Sequence, residues 1–225
     1  MATKKTDGEA TVTIPALDLR NITLKIAGDT PLICHAWSKK AKLEMLYSQQ
    51  KKAPKERESR RPAVEFADSL YWLTEKPNFD DVTDEEAQKI LSKVIPKSKF
   101  GFPTLAFKAA ALEGAFQQGL LAQRAGSSKL AKTTARGAIR VLGDFAEIKG
   151  IPTLREDVGR IGISQTNLVY RAEFKSWSTE LNIQYNAGAI SAEQIATIFN
   201  VGGFANGVGD WRQAKDGSFG AFHIE

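Results

Sequence analysis

Residues 104–123 read T-L-A-F-K-A-A-A-L-E-G-A-F-Q-Q-G-L-L-A-Q and predict a long helix. Apolar side chains recur there with helical spacing, and the intervening alanines let such a helix pack closely against a neighbour. Pro103 stands immediately before it, where the fixed φ of proline suits the first helical turn. One side of the helix carries Leu105, Leu112, Phe116 and Leu120. The sequence on both sides of this helix then determines what it packs against.

Alternating apolar residues predict strands before and after this helix. Residues 12–26 predict one bulged strand or two, and a helix is expected over 38–52. The run 64–73 is compatible with a helix or a strand, and a strand is favoured near 70–73. Strand-like runs cover 139–148, 154–163, 168–174 and 180–185, and the last two are expected to form a hairpin around 176–178. Capping boxes predict helix starts at Thr83 and Ser191. The mixture predicts an α+β fold with a mainly antiparallel sheet, helices packed on it and a ferredoxin-like arrangement as one form.

Length and composition are those of a globular protein. The chain has 225 residues, of which 42% are hydrophobic and 25% charged, so a single domain over 1–225 can bury a core. The single cysteine, Cys34, excludes an internal disulfide. The N-terminus lacks the apolar region of a signal peptide, and no run is long enough to span a membrane. We expect a cytoplasmic protein of a bacterial host cell, with no membrane partner.

Catalytic patterns are weak in this sequence. Cys34 and His35 are adjacent, so on a strand their side chains point to opposite faces and cannot act as a pair. Cys34 is expected as a small buried residue and His35 as a surface residue. The acidic run 80–86 contains adjacent carboxylates of a kind common at helix starts. We therefore expect no enzymatic activity, no cofactor and no metal.

The charge of the chain is segregated along the sequence. The net charge is +5, from 31 Lys and Arg against 26 Asp and Glu. Residues 39–61 carry +6 and residues 97–175 carry +7, while the rest of the chain carries −8. Such blocks are typical of a surface that binds a polyanion, and equally of a solvated helix followed by a charged loop.

The first basic block combines positive charge with an aromatic residue at its edge. A positively charged groove with stacking rings suits single-stranded nucleic acid. Residues 51–61 are expected to be a flexible basic insertion, whereas Trp37 could alternatively belong to the core. The candidate contacts are Trp37, Lys39, Lys40, Lys42, Lys51, Lys52, Lys55, Arg57, Arg60 and Arg61.

The second basic block has a spacing that a helix would turn into a stripe. Lys129, Lys132, Arg136 and Arg140 are spaced i, i+3, i+7 and i+11. On one helix they would form a one-sided row of positive charges, which destabilises the helix unless an anion neutralises it. This spacing favours a phosphate-binding role for the four side chains.

A glycine-rich C-terminus supplies the third candidate. Residues 202–220 contain six glycines around Trp211, Arg212 and Lys215, and glycines in such number mark backbone that bends sharply or approaches a partner closely. Trp211 could stack on a base, while Arg212 and Lys215 could hold a phosphate. The alternative is a helix cap, a turn and a final hairpin with Trp211 in the core. The segment is neither a P-loop nor a dinucleotide-binding fingerprint.

Two resemblances arise from these motifs. The run G-V-G-D-W-R-x-x-K-x-G-S-F-G-A-F over 207–222 resembles a C-terminal pattern of conserved uncharacterised proteins of tailed phages and prophages. Residues 102–110 and 170–177 fit the same pattern. More weakly, the glycine-rich segment ending in G-x-F-G is similar to that of the RAMP superfamily, RNA-binding subunits of CRISPR complexes. That resemblance implies ferredoxin-like folds and a glycine-rich segment lying against nucleic acid, and the matching residues are Gly207, Gly209, Gly217 and Gly220.

These features together predict a nucleic-acid-binding protein of phage type. We expect it to bind single-stranded DNA or RNA largely without sequence preference, and a homo-oligomer that coats the strand is one form of this hypothesis. The first alternative is a self-assembling protein, in which the basic segment 51–61 reaches the acidic block 75–96 of a neighbour. The second is a metal-dependent phosphodiester enzyme that uses the carboxylates of 80–86.

Overall fold

The computed structural model describes residues 16–50, 60–126, 128–161 and 165–225. The expected strand at residues 12–15 and most of the basic segment 51–61 lie outside the described residues. The strands of the described chain are β1 (Leu19–Gly28), β2 (Leu32–Cys34), β3 (Tyr71–Trp72), β4 (Phe100–Pro103), β5 (Ile139–Val141), β6 (Phe145–Ile148), β7 (Pro152–Ile161), β8 (Gln165–Phe174), β9 (Ser178–Asn186) and β10 (Phe222–Ile224).

Helices alternate with these strands. They are α1 (Lys39–Gln49), α2 (Pro62–Ser69), α3 (Asp84–Val94), α4 (Thr104–Gln117), α5 (Lys132–Ala138) and α6 (Ala192–Ala205), with short 3-10 turns at Ile95–Lys97 and Gln213–Lys215. Both predicted capping boxes are confirmed, because the side chains of Thr83 and Ser191 each accept a hydrogen bond from the backbone three residues later. Each box satisfies two backbone donors at a helix start. No described helix is long and apolar enough to cross a membrane.

The main sheet has the ferredoxin-like strand order. Its four strands lie in the order β10-β1-β9-β5, and every neighbouring pair is antiparallel. Numbered by their order in the chain, these strands read 4-1-3-2. Helix α4 lies between the first and second of them, and α6 lies between the third and fourth. This βαββαβ arrangement confirms the predicted α+β class and its ferredoxin-like form.

One face of the main sheet is covered by α4 and α6, which pack against each other. Glycine permits this close approach: a Cβ added at Gly202 of α6 would lie only 2.3 Å from the Cα of Ala111 in α4. Beneath the helices, the ring of Phe107 lies 5.6 Å from Phe222 and 6.3 Å from Trp177. These buried rings join α4 to the sheet. Because both helices lie on this side, they leave the opposite face of the sheet open.

Two three-stranded sheets are inserted into the connections of this unit. Strands β2, β8 and β7 form one in that order, and β3, β4 and β6 form the other. Helix α2 packs on β8, and the hydroxyl of its last residue, Ser69, accepts a hydrogen bond from the backbone N–H of Ala172 at 2.8 Å. Strand β2 contains Cys34, which is buried as expected.

The expected hairpin between 168–174 and 180–185 is wrong. Strand β8 pairs with β2 and β7, whereas β9 pairs with β1 and β5 in the main sheet. The chain changes sheets at Trp177, which is 3% exposed and donates from Nε1 to the Thr30 carbonyl at 2.8 Å. Burial of this indole separates the two strands, and the actual hairpin joins β7 to β8.

Other differences occur where the chain turns. The run 139–148 is two strands, separated by a turn in which Gly143 has a φ of +78°. Residues 64–73 form most of α2 and then the short β3. Helix α4 ends at Gln117 rather than at residue 123, and Gly119 follows in the left-handed conformation with a φ of +71°. Glycine reaches this conformation without steric cost, so it ends the helix.

Candidate nucleic-acid interface

The open face of the main sheet is polar and lined by groups that form hydrogen bonds. Asn21 and Thr23 on β1 lie opposite Gln184 and Asn182 on β9, and Arg140 on β5 lies on the other side of Gln184. The hydroxyl of Thr23 donates to Oδ1 of Asn182 at 2.9 Å. Amide groups carry both donors and acceptors. This surface, here called the amide face, can therefore offer hydrogen bonds to a flat polar ligand across three strands.

Apolar side chains border the amide face. Leu142 and Phe145 follow β5 and are 41% and 46% exposed. They line a groove of about 570 Å³ together with the amide-face residues Asn21, Thr23 and Asn182. The ring of Phe145 also lies 5.6 Å from that of Tyr71. An exposed ring beside hydrogen-bonding groups can stack on a nucleobase.

Three positive charges gather where helix α5 runs into β5. The Nζ of Lys108 on α4 donates to the carbonyls of Arg136 and Ile139, which end helix α5. Partial burial is the main cause that lowers the pKa of Lys108, and the charges of Arg136 and Arg140 lower it further. No carboxylate among the described residues forms an ion pair with Arg136 or Arg140. Lys108, Arg136 and Arg140 are here called the basic cluster, and this cluster attracts anions.

The predicted single helix with a four-residue basic stripe is not present. Helix α5 covers only Lys132–Ala138, so Lys129 precedes it and Arg140 lies on β5. The helix ends because Ile139, 2% exposed, enters the main sheet opposite Tyr185. Pairing with β9 at this point overrides the helical spacing of the charges.

Two members of the expected stripe are engaged within the protein. The Nζ of Lys132 lies 2.5 Å from a carboxylate oxygen of Glu113 and 4.7 Å from the ring centroid of Phe116. The Nζ of Lys129 donates to the carbonyl of Gly119 at 2.6 Å. These contacts attach the 120–131 loop and the start of α5 to α4. Of the four predicted positions, Arg136 and Arg140 are therefore the ones that belong to the basic cluster.

The first basic block divides into several environments. Trp37 is 55% exposed, and Lys42 is exposed on α1, a helix with no substantial packing against another described element. Lys39 and Lys40 lie in the first turn of α1. Lys51, Lys52, Lys55 and Arg57 lie outside the described residues. The role of these seven lysines and arginines in binding stays a prediction.

Arg60 and Arg61, at the end of this block, contact the protein itself. Arg60 donates to the carbonyl of Leu168 and lies 3.4 Å from the carboxylate of Glu65. Arg61 donates from Nη1 to the carbonyls of Phe79 and Val82 at 2.9 and 3.1 Å. Arg61 thus holds the loop before α3 against the start of α2, a structural role that the charge pattern did not reveal.

The glycines of the C-terminal segment approach the backbone of the protein. A Cβ added at Gly209 would lie 2.6 Å from the carbonyl oxygen of Ile33, and one added at Gly217 would lie 1.7 Å from that of Trp211. Gly207 and Gly220 have φ values of +65° and +68°. Internal turns and close approaches account for these glycines, the positions matched to the RAMP pattern.

Trp211 projects from this segment instead of entering the core. It is 39% exposed and has a φ of +52°, a left-handed conformation that is unusual for a large residue. Its ring lies 5.9 Å from the guanidinium of Arg171. Arg212 donates to the carbonyl of Gly209 at 3.0 Å, and Lys215 is exposed. Trp211 and Lys215 are therefore accessible, as the predicted contacts require.

Beneath Trp211 lies a cluster of charged groups around one carboxylate. Asp210 contacts the guanidinium of the largely buried Arg171, and its Oδ2 lies 3.3 Å from Nδ1 of His35. The hydrogen bond with His35 is the main cause that lowers the pKa of Asp210, and the charge of Arg171 lowers it further. Together they outweigh partial burial, which acts to raise it. His35 itself is exposed, as expected. This ion pair fixes the glycine-rich segment to strands β2 and β8.

The acidic run 80–86 has structural roles at α3. Asp84 accepts a hydrogen bond from the backbone N–H of Ala63 at 2.8 Å, which ties α3 to α2. Glu86 accepts from the backbone and hydroxyl of Thr83 and completes the capping box. Within the described ranges, no three His, Cys, Asp or Glu side chains are grouped so that they could hold a metal ion.

Sequence reasoning missed the amide face, Lys108 and Phe145. One signal was present: polar Asn21, Thr23 and Lys25 alternate with apolar residues, which marks one face of β1 as solvent-exposed. The missing information was which strands lie beside β1. Asn21 and Gln184 are more than 160 positions apart in sequence, and only the folded sheet brings them together.

Comparisons with known proteins find similarity among solved structures only. No protein-family model matches the chain, and no curated protein matches it. Among solved structures, the crystal structure of Cmr6 from Pyrococcus furiosus is similar over 93% of this chain and 100% of that chain, with 12% sequence identity and a TM-score of 0.34. A TM-score of this size does not establish a shared fold, so it establishes neither of the two sequence resemblances.

Proposed function

We propose that this protein binds single-stranded nucleic acid, largely without sequence preference, along the amide face of its main sheet. The observation that carries the proposal is the position of Arg140. It has no ion-pair partner among the described residues, and it lies opposite Gln184 of the open amide face. Phosphates bring negative charge, and bases bring flat polar edges. The basic cluster and the amide face match these two requirements of a single strand.

The basic cluster supplies the contacts to phosphate. Arg136 and Arg140 present guanidinium groups, which can donate two parallel hydrogen bonds to one phosphate. Lys108 is fixed beneath them by two backbone carbonyls, so its charge is held in place without ordering cost at binding. Arg140 lies across from Gln184 in the sheet. A strand whose phosphate contacts Arg140 can therefore reach the amide face with a neighbouring base.

Phe145 and the amide face supply the contacts to bases. A ring that is 46% exposed can stack on any of the four bases. The side chains of Asn21, Asn182 and Gln184 offer donors and acceptors on rotatable groups, which adapt to different base edges. Since stacking does not distinguish sequences and these amide groups lie on an open face, we expect weak sequence preference.

The test is a fluorescence-anisotropy titration with labelled single strands of about twenty nucleotides, a length that covers one to several sites. DNA and RNA strands of the same sequence are compared, with the matching duplex as competitor. We expect saturable binding at low salt that the duplex competes for poorly. Absence of binding to both single strands at low salt would refute the proposal.

A matched pair of phenylalanine variants tests the location of the site. Phe145→Ala is expected to weaken binding by about 5- to 150-fold, because stacking contributes about 1–3 kcal/mol per base. Phe204→Ala is the control, since Phe204 is 76% exposed on α6, which covers the opposite face of the sheet. Equal effects of the two substitutions would place the bound strand elsewhere.

One further observation favours self-association as a second candidate function. Strand β7 has an open edge, and pairing along that edge is compatible with strand binding on the main sheet. A protein with both properties would bind nucleic acid as an oligomer.

A further inference from the structure

Strand β7 is a long edge strand whose outer side has no backbone partner among the described residues. It has ten residues, and all ten pair with β8 on the inner side. No other described backbone group forms a hydrogen bond with β7. The edge strands β2, β5 and β10 have only three residues each. An outer row of unpaired N–H and C=O groups of this length is a template for another strand.

Of the features that usually block a long edge, β7 has charged side chains but neither lysine nor an internal proline. Proteins commonly block long edges with lysine, proline or a bulge. Here the one proline, Pro152, is the first residue of the strand, and β7 contains no lysine. Two apolar side chains instead stand on one face, Leu154 at 46% and Val158 at 63% exposure. The exposed Leu168 lies beside Val158 on β8.

We propose that β7 pairs in antiparallel register with β7 of a second copy of this chain, about a two-fold axis at Glu156. In this register Leu154 lies opposite Val158 of the second copy, so the exposed apolar side chains cover each other. On the other face, Arg155 lies opposite Asp157 of the second copy. The pairing joins two three-stranded sheets into one sheet of six strands.

Charge complementarity favours this register over the two adjacent ones. Within one chain, Arg155 already donates from Nε to the Asp157 carboxylate at 2.8 and 3.0 Å. The two-fold axis places the Arg155–Asp157 pair of the second copy beside that of the first, so arginine and aspartate alternate among the four side chains. An axis at Arg155 would place Leu154 opposite Glu156, and an axis at Asp157 would place Glu156 opposite Val158. Those registers oppose a charge to an apolar group.

One contact of the proposed pair is unfavourable. Glu156 lies on the axis and faces Glu156 of the second copy, and like charges directly opposite each other destabilise a strand pair. Its neighbour on β8 is Tyr170. Replacing Glu156 by Gln removes the repulsion and keeps the size of the side chain. The substitution E156Q is therefore expected to strengthen self-association.

Disulfide trapping tests the register directly. In Glu156→Cys the two introduced thiols face each other across the axis, where opposite Cβ atoms are about 4.5–5.5 Å apart. Mild oxidation is expected to give a covalent dimer. Val158→Cys is the matched control, because its two copies are separated by four residues along the strands, about 13 Å. Native Cys34 is buried and should not interfere.

Charge variants test the same register without a covalent bond. Val158→Lys alone and Leu154→Glu alone each place a charge opposite an apolar residue and are expected to abolish self-association. Combined in one chain, each introduced lysine faces an introduced glutamate of the second copy, so association returns at low salt. Leu105→Lys, at a 71% exposed position of α4, is the control and should leave association unchanged.

Sedimentation equilibrium over a range of protein concentrations, without nucleic acid, provides the measurement. Thermal melting of each variant checks that it folds, which is expected because the substituted positions are exposed. A wild-type protein that remains monomeric, association insensitive to V158K, or equal cross-linking of E156C and V158C would each overturn the proposal. None of these results depends on strand binding, so the proposed function and this interface can fail separately.

Discussion

Removing two charges from the basic cluster should change the salt dependence of strand binding by a calculable amount. The variant is Arg136→Ala with Arg140→Ala, which leaves Lys108 in place as the group that holds the end of α5. Neither arginine forms an ion pair within the described chain. The substitutions should therefore remove phosphate contacts while changing stability little.

The magnitude follows from counterion release. Each phosphate neutralised on a single strand contributes about 0.7 to the slope of log K against log salt. Two lost contacts lower that slope by about 1.4, which corresponds to about 25-fold weaker binding near 0.1 M salt. The same calculation gives only about a threefold loss near 0.5 M salt. At the lower salt the loss equals about 1.9 kcal/mol.

The assay is anisotropy titration of the wild type and the variant at four or more salt concentrations. Lys93→Ala with Lys97→Ala is the matched control, because it removes the same charge from exposed positions at the end of α3. The control should change the slope little. If the two double variants reduce the slope equally, net charge explains the binding, and the basic cluster has no specific role.

Three further predictions concern stability and reactivity. An added Cβ at Gly202 would lie 2.3 Å from the α4 backbone, so Gly202→Ala should lower the free energy of unfolding in urea by about 1–3 kcal/mol. Gly137 has open space around it, so the control Gly137→Ala should stabilise helix α5 slightly. Equal effects of the two substitutions would contradict the packing argument. The lowered pKa of Asp210 contributes stability that is present above about pH 4 and is lost as the pH falls through that pKa. Asp210→Asn should therefore flatten the acid limb of a stability–pH curve. It should also lower stability at neutral pH, because it leaves Arg171 unpaired. An unchanged acid limb would exclude this linkage. Burial raises the pKa of the Cys34 thiol, so a thiol reagent should modify it only after unfolding, and rapid labelling of the native protein would show that β2 opens.

Local patterns predicted the elements better than their partners. The alternation of Ile22, Leu24 and Ile26 identified β1, and two capping boxes identified the starts of α3 and α6. Each of these signals is formed by residues that are only a few positions apart in the sequence. The hairpin expected between 168–174 and 180–185 was wrong because the burial of Trp177 sends β9 to another sheet. Sequence proximity does not encode that packing.

The candidate interface was predicted in part. Charge spacing identified Arg136 and Arg140, but through a continuous helix that does not form, because Ile139 joins the main sheet. The same spacing included Lys132, whose charge is paired with Glu113. Glu113 lies 19 residues away, beyond any local pattern. Positive charge is visible in a sequence, whereas its neutralisation depends on tertiary contacts.

The strand order of the main sheet has a consequence for the folding of the nascent chain. Strand β1 emerges early, yet its partners are β9 and β10, and Ile26 pairs with Ile224 at the end of the chain. At about 5–20 residues per second, the ribosome needs about 10–40 s to synthesise the residues between them. For most of that interval β1 has neither neighbour, and its pairing with β10 waits for the last residues. Contact order of this kind slows folding, and loss of the C-terminal residues should leave the first strand exposed to aggregation.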